Sequence, residues 1–537
     1  MDRNESPTPD PRTIGLLAKL PHSPSAPDTT AIVLNWSRFP NVKRIAATLC
    51  APELDGIIKE VFVWNNSPQS ITYDDFRDTG CPREKLRIHN SPENLYFQAR
   101  FLACRAVETP YCFIQVRPSL PTRLSIAKSL YRWIAGSPMR TRIDTDTHDD
   151  DFLITPDVIH TLHAALTHAP SASQHAIHLL PAHEHLSSSL RALHIPTSPT
   201  SPLQAIHTGF AWLGHGALLP RTDALAFLDL LRALDVSDAE ARMADNYFAI
   251  LGNRVPEVWF DQGVELGGGV PFTVGAEGEV RNNEHIARAA DYLAAIAAGA
   301  YGPSLPYVSR GADAPATSEP VARAACKHTR CLFETNIALF PRDAAPTHTT
   351  AAARDMLALE AQNRVRIGAG GVERYVAHPP SCAVDGRAET FFLGACDAQA
   401  GDFVSLDFFD DVRRLGARGA VELVWVVDAA TAETLRACVL ECSLDGLAWN
   451  TKEHAFSCRE TLVDVHGEEA QGGEANAAHQ SRSLRECIFT TSVDPPAAAT
   501  NASTSESTGG VRAFRVKNPE NRGSPWEVHN VYLRSTV

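Results

Sequence analysis

TAIVLNW (Thr30–Trp36), KRIAATLCAPELDGIIKE (Lys43–Glu60) and VFVWNN (Val61–Asn66) decide the fold class. The outer two are short, apolar, β-prone runs, and the middle one spaces its apolar residues as a helix does. Strand, helix and strand within about 35 residues form a βαβ unit, which implies a parallel sheet covered by helices. Order is expected to begin at Thr29. LYFQARFLACRAV (Leu95–Val107) adds an amphipathic helix, and YCFIQ (Tyr111–Gln115) adds another buried strand. Ligands of such sheets lie outside the carboxyl ends of the strands.

After Gln115 the pattern breaks. Val116 to His148 is a loop-like segment of 33 residues carrying Arg117, Arg123, Arg132, Arg140 and Arg142. Three aspartates, Asp149, Asp150 and Asp151, then precede the apolar Phe152-Leu153-Ile154 and a helix entered through Thr155-Pro156, a good helix start. Residues 168–204 are rich in His, Ser and Pro and read as a loop. Ordered texture returns from His207 to about Ala298, with HTGFAWLGHGALLPR, a helical ALAFLDLLRALD and DAEARMADNYFAILGN. Residues 305–365 read as a Pro/Ala/Thr-rich connector. Beyond Arg366, FVSLDFF, VELVWVV, RACVLECSLDG, VRAFRVKN and WEVHNVYL alternate as strands, so residues 366–537 are expected to form an all-β sandwich. Polar insertions interrupt it at 467–482 and 495–510. Residues 1–28, dominated by Pro, Ser, Asp and Thr, read as a disordered leader.

A chain of 537 residues exceeds what one core supports, so two or three folded units are expected. Hydrophobic residues at 44% and charged residues at 21% are ordinary globular composition and exclude a wholly disordered chain. Lys+Arg of 49 against Asp+Glu of 63 gives a net charge of −14, which argues against a dedicated nucleic-acid binder. No run approaches the ~20 apolar residues of a membrane-spanning helix. MDRNESPTPDPRTIG at the N-terminus shows no signal-peptide pattern. The twelve cysteines lack CxxC or zinc-type spacing and read mainly as small buried hydrophobes, with a disulfide or two left open.

The aspartate triplet is the first chemical candidate. Carboxylate oxygens suit hard divalent cations, and such a metal bridges a substrate diphosphate and offsets the leaving group's charge. A solvated acidic loop capping the next helix is the plainer alternative. Asp144-Thr145-Asp146 is a decoy of similar spacing; Asp149 to Asp151 are preferred because an apolar strand and a helix follow immediately. Asp245, in a helical stretch beside Met243, Tyr247 and Phe248, is the second candidate, against a surface role by default. The third is the set Arg38, Asn65, Asn66, Asn94 and Arg100: Arg suits diphosphate oxygens and Asn a uracil edge or ribose, and each also suits a turn or cap.

In this order, TAIVLNWSR, VFVWNN, NLYFQARF, the DDD triplet, HTGFAWLGHGALLPR and MADNYF resemble the exostosin-like glycosyltransferases (glycosyltransferase family 64) over roughly Thr29 to Ala298. The resemblance implies a GT-A-type nucleotide-sugar-binding domain over 29–304 and a retaining, manganese- or magnesium-dependent transfer from a UDP-sugar donor to a glycan or glycoconjugate acceptor. It places Arg38, Asn65, Asn94 and Arg100 around UDP, Asp149 and Asp150 by the ribose and donor sugar, Asp151 on the metal and Asp245 near the anomeric carbon. It also places Gly209 and the Trp212 to Gly216 stretch at the donor and acceptor cleft, and it implies a secretory-pathway lumen. The 116–148 insertion departs from the family pattern, in which the strand passes directly into the aspartates.

VDGRAETFFLG, GDFVSLDF, LECSLDGLAWN and the closing strands resemble a discoidin-type, galactose-binding-like sandwich, in which Asp385, Asp445, Gly446, Trp449 and Trp526 serve turns and core. Asn-x-Ser/Thr occurs at Asn4, Asn35, Asn65 and Asn501, and only Asn501 lies in a suitable loop. The leading expectation is therefore a metal-dependent hexosyl- or N-acetylhexosaminyltransferase. The alternative is a non-catalytic glycan-binding protein with a degenerate transferase domain. A phosphoryl or nucleotidyl transferase is disfavoured because Gly267-Gly268-Gly269 lacks the Lys and Ser/Thr of a phosphate loop.

Overall fold

Strand β1 (Thr29–Asn35) runs parallel to β2 (Ile58–Asn65), with Asn35 opposite Asn65. Helix α1 (Phe39–Leu49) crosses between them, buries Val42, Ile45, Ala46 and Leu49, and has a proline in its first turn, where the missing N–H costs nothing. It ends well before the expected Glu60, because Pro52 disfavours helical geometry at Ala51; a single 3₁₀ turn (Pro52–Leu54) follows, and Ile58 already belongs to β2. The computed structural model describes residues 26–115, 152–169, 174–261, 263–266, 276–302, 304–311, 321–347, 352–387, 389–415, 417, 419–465, 480–493 and 510–535. The 116–148 insertion and the three aspartates fall outside these residues, as do most of the leader and most of both polar insertions of the C-terminal half.

The first half continues through β3 (Leu86–Asn90), α2 (Gln98–Arg105), β4 (Tyr111–Gln115), β5 (Phe152–Leu153), α3 (Pro156–His168), β6 (Ile177–Leu180), α4 (Ala182–Arg191), β7 (Leu193–Pro196), β8 (Ala205–Thr208), β9 (Ala217–Pro220), α5 (Arg221–Ala233), α6 (Asp238–Arg242), α7 (Asp245–Leu251), β10 (Glu257–Phe260), β11 (Val264–Glu265) and α8 (Ala276–Ala297). The segment 168–204, expected as a loop, contains β6, α4 and β7. Its composition misled: His178 lies inside the fully buried strand IHLL, and α4 buries His185 with Leu186 and Leu190.

The second half holds β12 (Ala322–Ala325), β13 (Leu332–Thr335), α9 (Met356–Ala377), β14 (Phe392–Asp397), β15 (Phe403–Asp407), β16 (Ala420–Val427), α10 (Ala429–Leu435), β17 (Val439–Ser443), β18 (Asn450–Thr451), β19 (Ala455–Val465), β20 (Gln480–Ser492), β21 (Ala513–Lys517) and β22 (Pro525–Ser535). The expected connector over 305–365 is thus partly structured, and the expected boundary at 366 cuts through α9. That helix docks on α4: Arg191 Nε lies 2.6 Å from Glu360 Oε2, and Asn363 Nδ2 donates to the Leu190 carbonyl at 3.2 Å. A kink at Gly368, with φ of 72°, breaks its register midway and obscures the helical pattern.

One sheet crosses both halves, in the order β18-β17-β21-β15-β13-β12-β10-β6-β9-β4-β1-β2-β3. The junction is β10 beside β12, parallel, with Phe260 opposite Ala324. The second sheet, β14-β22-β16-β20-β19, packs on the C-terminal part of the first and forms a sandwich whose core includes Trp425, Trp526, Phe489 and Phe514. Eight cysteines pair, as Cys50–Cys81, Cys104–Cys112, Cys326–Cys331 and Cys458–Cys487, more than spacing alone suggested, since the partners meet through the fold. Among the described residues no helix is long and apolar enough to cross a membrane.

Candidate functional site

The carboxyl edge of the parallel strands carries a polar side chain at or just beyond the end of each of eight neighbours, the one beside β6 coming from the first turn of α4. Across β12-β10-β6-β9-β4-β1-β2-β3 these are Lys327, Asp261, Glu184, His215, Gln115, Asn35, Asn65 and Asn90. β9 runs antiparallel, so its first residues, after His215 and Gly216, meet this edge; Ala217 lies opposite Ile114. An edge of this kind is where open α/β sheets hold ligands.

The two ends of the row are internally satisfied. Asn35 Nδ2 donates to Asn65 Oδ1 at 2.7 Å, and Asn65 Nδ2 donates to Asn90 Oδ1 and to the Gln69 carbonyl, both at 2.8 Å. Asn90 in turn exchanges two hydrogen bonds of 2.9 Å with the backbone of Ile71. At the other end Lys327 Nζ lies 2.6 Å from Asp261 Oδ2. Burial works against charge on Lys327, but Asp261 and Asp157 outweigh it and hold its pKa above the ordinary value.

The middle of the row differs. Asn35 Oδ1, Gln115 Oε1 and His215 Nδ1 are buried and have no hydrogen-bond partner. His215 Nε2 stands 3.0 Å from Glu184 Oε2, with both side chains buried. Burial raises the Glu184 pKa, yet His215 beside it outweighs the effect and the group lies below its ordinary value. Buried polar atoms are seldom left unpaired, and such orphans mark places where a ligand or ordered water completes the set.

Gln115 also fastens the chain where it re-enters. Its Nε2 donates to the Phe152 carbonyl at 2.9 Å, and the Phe152 ring lies 5.3 Å from that of His215. β5 then pairs with β11, Phe152 opposite Glu265. Gly263 and Gly216 make this approach possible: with φ of 69° and 153°, each would place a Cβ against Leu153 O at 2.7 Å and Ile154 Cγ1 at 3.1 Å, respectively. Asp149, Asp150 and Asp151 lie outside the described residues; Phe152 is the covalent neighbour of Asp151.

Arg100 and Asp245 are brought together away from solvent. They form an ion pair at 0% and 1% side-chain exposure, Arg100 from α2 and Asp245 from the first turn of α7. Burial lowers the Arg100 pKa to about 9, and the adjoining carboxylate favours its charged form. The guanidinium also lies 4.9 Å from the Phe97 ring, which packs edge-on to Trp212 at 6.5 Å. Arg38 is buried at 6% exposure just past β1. Asn94 is half-buried, and its Oδ1 accepts from the Tyr96 amide at 2.9 Å. That bond and those of Asn66, which accepts from Leu95 N and donates to Tyr96 O, hold Tyr96 at a left-handed φ of 48°, a conformation costly for a bulky residue.

Among the described residues no three His, Cys, Asp or Glu side chains converge as a metal site. Sequence reasoning overlooked Gln115 and Glu184 as site residues, while His215 falls within the Trp212 to Gly216 stretch expected at the cleft. Gln115 closes the strand YCFIQ, so a polar residue ending a buried run was the available signal; Glu184 sat in the supposed loop and carried none.

No known protein family matches the chain, and no curated protein does. Among solved structures it is similar to the mannosyltransferase PcManGT from Pyrobaculum calidifontis in complex with GDP-Man and Mn²⁺, at 14% identity and TM-score 0.26, covering 55% of this chain and 73% of that one. It is similar to residues 1–349 of S. aureus TarS at 13% identity and TM-score 0.25, covering 49% and 65%. A third is CpGH89CBM32-5 from Clostridium perfringens in complex with GalNAc-β-1,3-galactose, at 8% identity and TM-score 0.17, covering 29% and 84%. All three scores lie below 0.5, and the functional reading rests on the chain's own residues.

Proposed function

We propose that this chain transfers a sugar from a UDP-sugar to a glycan or glycoconjugate acceptor at the carboxyl edge of β6-β9-β4-β1. The supporting observation is the set of buried polar atoms His215 Nδ1, Gln115 Oε1 and Asn35 Oδ1, which lack hydrogen-bond partners, together with the buried Glu184–His215 pair, all on or beside four adjacent strands. Acceptor oxygens beside an imidazole nitrogen suit the donating hydroxyls of a sugar. The Asn35-Asn65-Asn90 ladder keeps the neighbouring ends rigid, and Arg38 beside it offers positive charge for a diphosphate.

The aspartate triplet ends in sequence immediately before Phe152, which Gln115 fastens to this edge. Its carboxylates are the donor set that Mn²⁺ or Mg²⁺ takes, with Asp151 as the ligand and Asp149 and Asp150 toward ribose and sugar. When bound, the metal supplies charge neutralisation of the leaving diphosphate. Retention of anomeric configuration, and Asp245 as the carboxylate nearest the anomeric carbon, complete the proposal. The test is manganese-dependent hydrolysis of UDP-sugars by the full chain and by Asp151→Ala. Loss of turnover in the variant, with an unchanged melting temperature, is expected; equal rates would remove the metal assignment.

One observation favours the non-catalytic alternative: the Asp245 carboxylate is spent on Arg100 and does not reach solvent. On that reading the full chain binds glycans and shows no UDP affinity in calorimetry.

A further inference from the structure

The continuous sheet leaves a cavity of about 890 Å³ where its two halves meet. The last turn of α3, with Leu166 and His168, forms one wall, and the sandwich residues Asp407 and Arg512 form the other. This place is distinct from the carboxyl edge. Glu257 opens β10, whereas Asp261 follows the end of that strand, so ~13 Å of extended chain separates them.

Its floor is ionic. Glu257, Arg323 and Glu334 come from the adjacent strands β10, β12 and β13. Arg323 Nη1 reaches Glu257 Oε1 at 2.8 Å, and its Nε reaches Glu334 Oε1 at 2.7 Å. The three side chains are 37%, 31% and 24% exposed, on a sheet that helices would normally cover. Arg512 grips Asp407 as a fork, 2.8 and 2.7 Å long. The rim is apolar: Leu447 is 81% exposed and Val255 is 40% exposed.

We infer that this cavity binds a neutral oligosaccharide. Each guanidinium of the lining is already paired with a carboxylate, so they present fixed donors and acceptors and no uncompensated positive charge for an anionic ligand. Five carboxylates against three guanidiniums leave the lining at a net −2 with histidines neutral, which disfavours phosphate, sulfate or uronate groups. An acyl chain would have to bury against ion pairs that lose their water without compensation. A pyranose offers both surfaces required, hydroxyls for the floor and a C–H face for Leu447 and Val255. The volume lies toward the upper end of the ~300–1,000 Å³ usual for small-ligand sites and suits several sugar units.

The inference does not rest on the transferase reading, and its test needs neither donor nor metal. Isothermal titration of the full chain with cellotetraose, laminaritetraose and N-acetyllactosamine is set against a heparin tetrasaccharide and a tetragalacturonate. At least one neutral probe is expected to bind, weakened about tenfold or more by Glu334→Gln, which removes a charged hydrogen-bond acceptor, and also weakened by Leu447→Asp on the rim. Melting temperatures verify that both variants fold, and Leu447→Asp changes only an exposed residue. Binding of the acidic probes alone, binding indifferent to both variants, or no binding of any neutral probe at millimolar concentration would overturn it.

Discussion

Arg100 and Asp245 face each other in an ion pair sealed from solvent, and through it α2 and α7 are held together beside Phe97. A buried pair is worth little against an apolar replacement, but removing one partner strands the other charge. Asp245→Asn and Arg100→Met are each expected to cost about 3–5 kcal/mol. Arg100→Met with Asp245→Leu is expected to recover most of that loss in urea denaturation. On the proposed function the double variant regains stability without regaining sugar transfer, whereas a purely structural Asp245 would allow both to return.

The asparagine ladder sets a second expectation. Asn65→Ala removes hydrogen bonds to Asn35, Asn90 and the Gln69 carbonyl in a fully buried site, so a loss of about 2–3 kcal/mol is expected in equilibrium unfolding. Asn65→Asp should be worse than alanine, because it sets a carboxylate against two oxygens that now receive donors. Neither variant needs a ligand for its measurement.

Acid sensitivity follows from two buried histidines. Burial pushes His178 down to about 4 and His185 down to about 3. The unfolded chain takes up these protons near pH 6.5 and the folded chain only far lower, so their contribution is complete above ~6.5 and is lost as pH falls from there toward 4. Asp385 opposes this trend: burial pushes it up to about 6, so the folded state holds that proton through the same range. His178→Asn, which can keep the 2.9 Å bond to the Trp212 carbonyl, is expected to flatten the fall in urea midpoint between pH 7 and pH 5.

Disulfides stabilise the sandwich edge. Cys458 and Cys487 face each other across β19 and β20 and close a loop with a sequence separation of 29. Replacing both with alanine is expected to cost about 2–4 kcal/mol, read as a lower melting temperature. A reductant should lower the wild type further, since it opens all four pairs. Disulfides persist in oxidising surroundings, so refolding yield is expected to be higher in a glutathione redox buffer than in reducing buffer.

Much of the first sheet could be read directly from the chain. TAIVLNW, VFVWNN and YCFIQ are continuous apolar runs, and burial on both faces permits little else. The polar residues that end them, Asn35, Asn65 and Gln115, therefore fall on one edge by simple topology. IHLL escaped because a neutral histidine can occupy a core strand when its ring finds a carbonyl, a partner 34 residues away in sequence.

Sequence alone determined the apolar runs of the first strands, the parallel βαβ start, the β-rich C-terminal half and the net charge of −14, because each depends on a residue's own chemistry and that of near neighbours. Tertiary structure decided which charges meet and what they cost. Arg100 and Asp245 stand 145 positions apart, and Arg323 reaches Glu257 across 66, so neither pairing has a local signature. It also decided that β10 and β12 would share one sheet, which turned two expected domains into halves with a cavity between them.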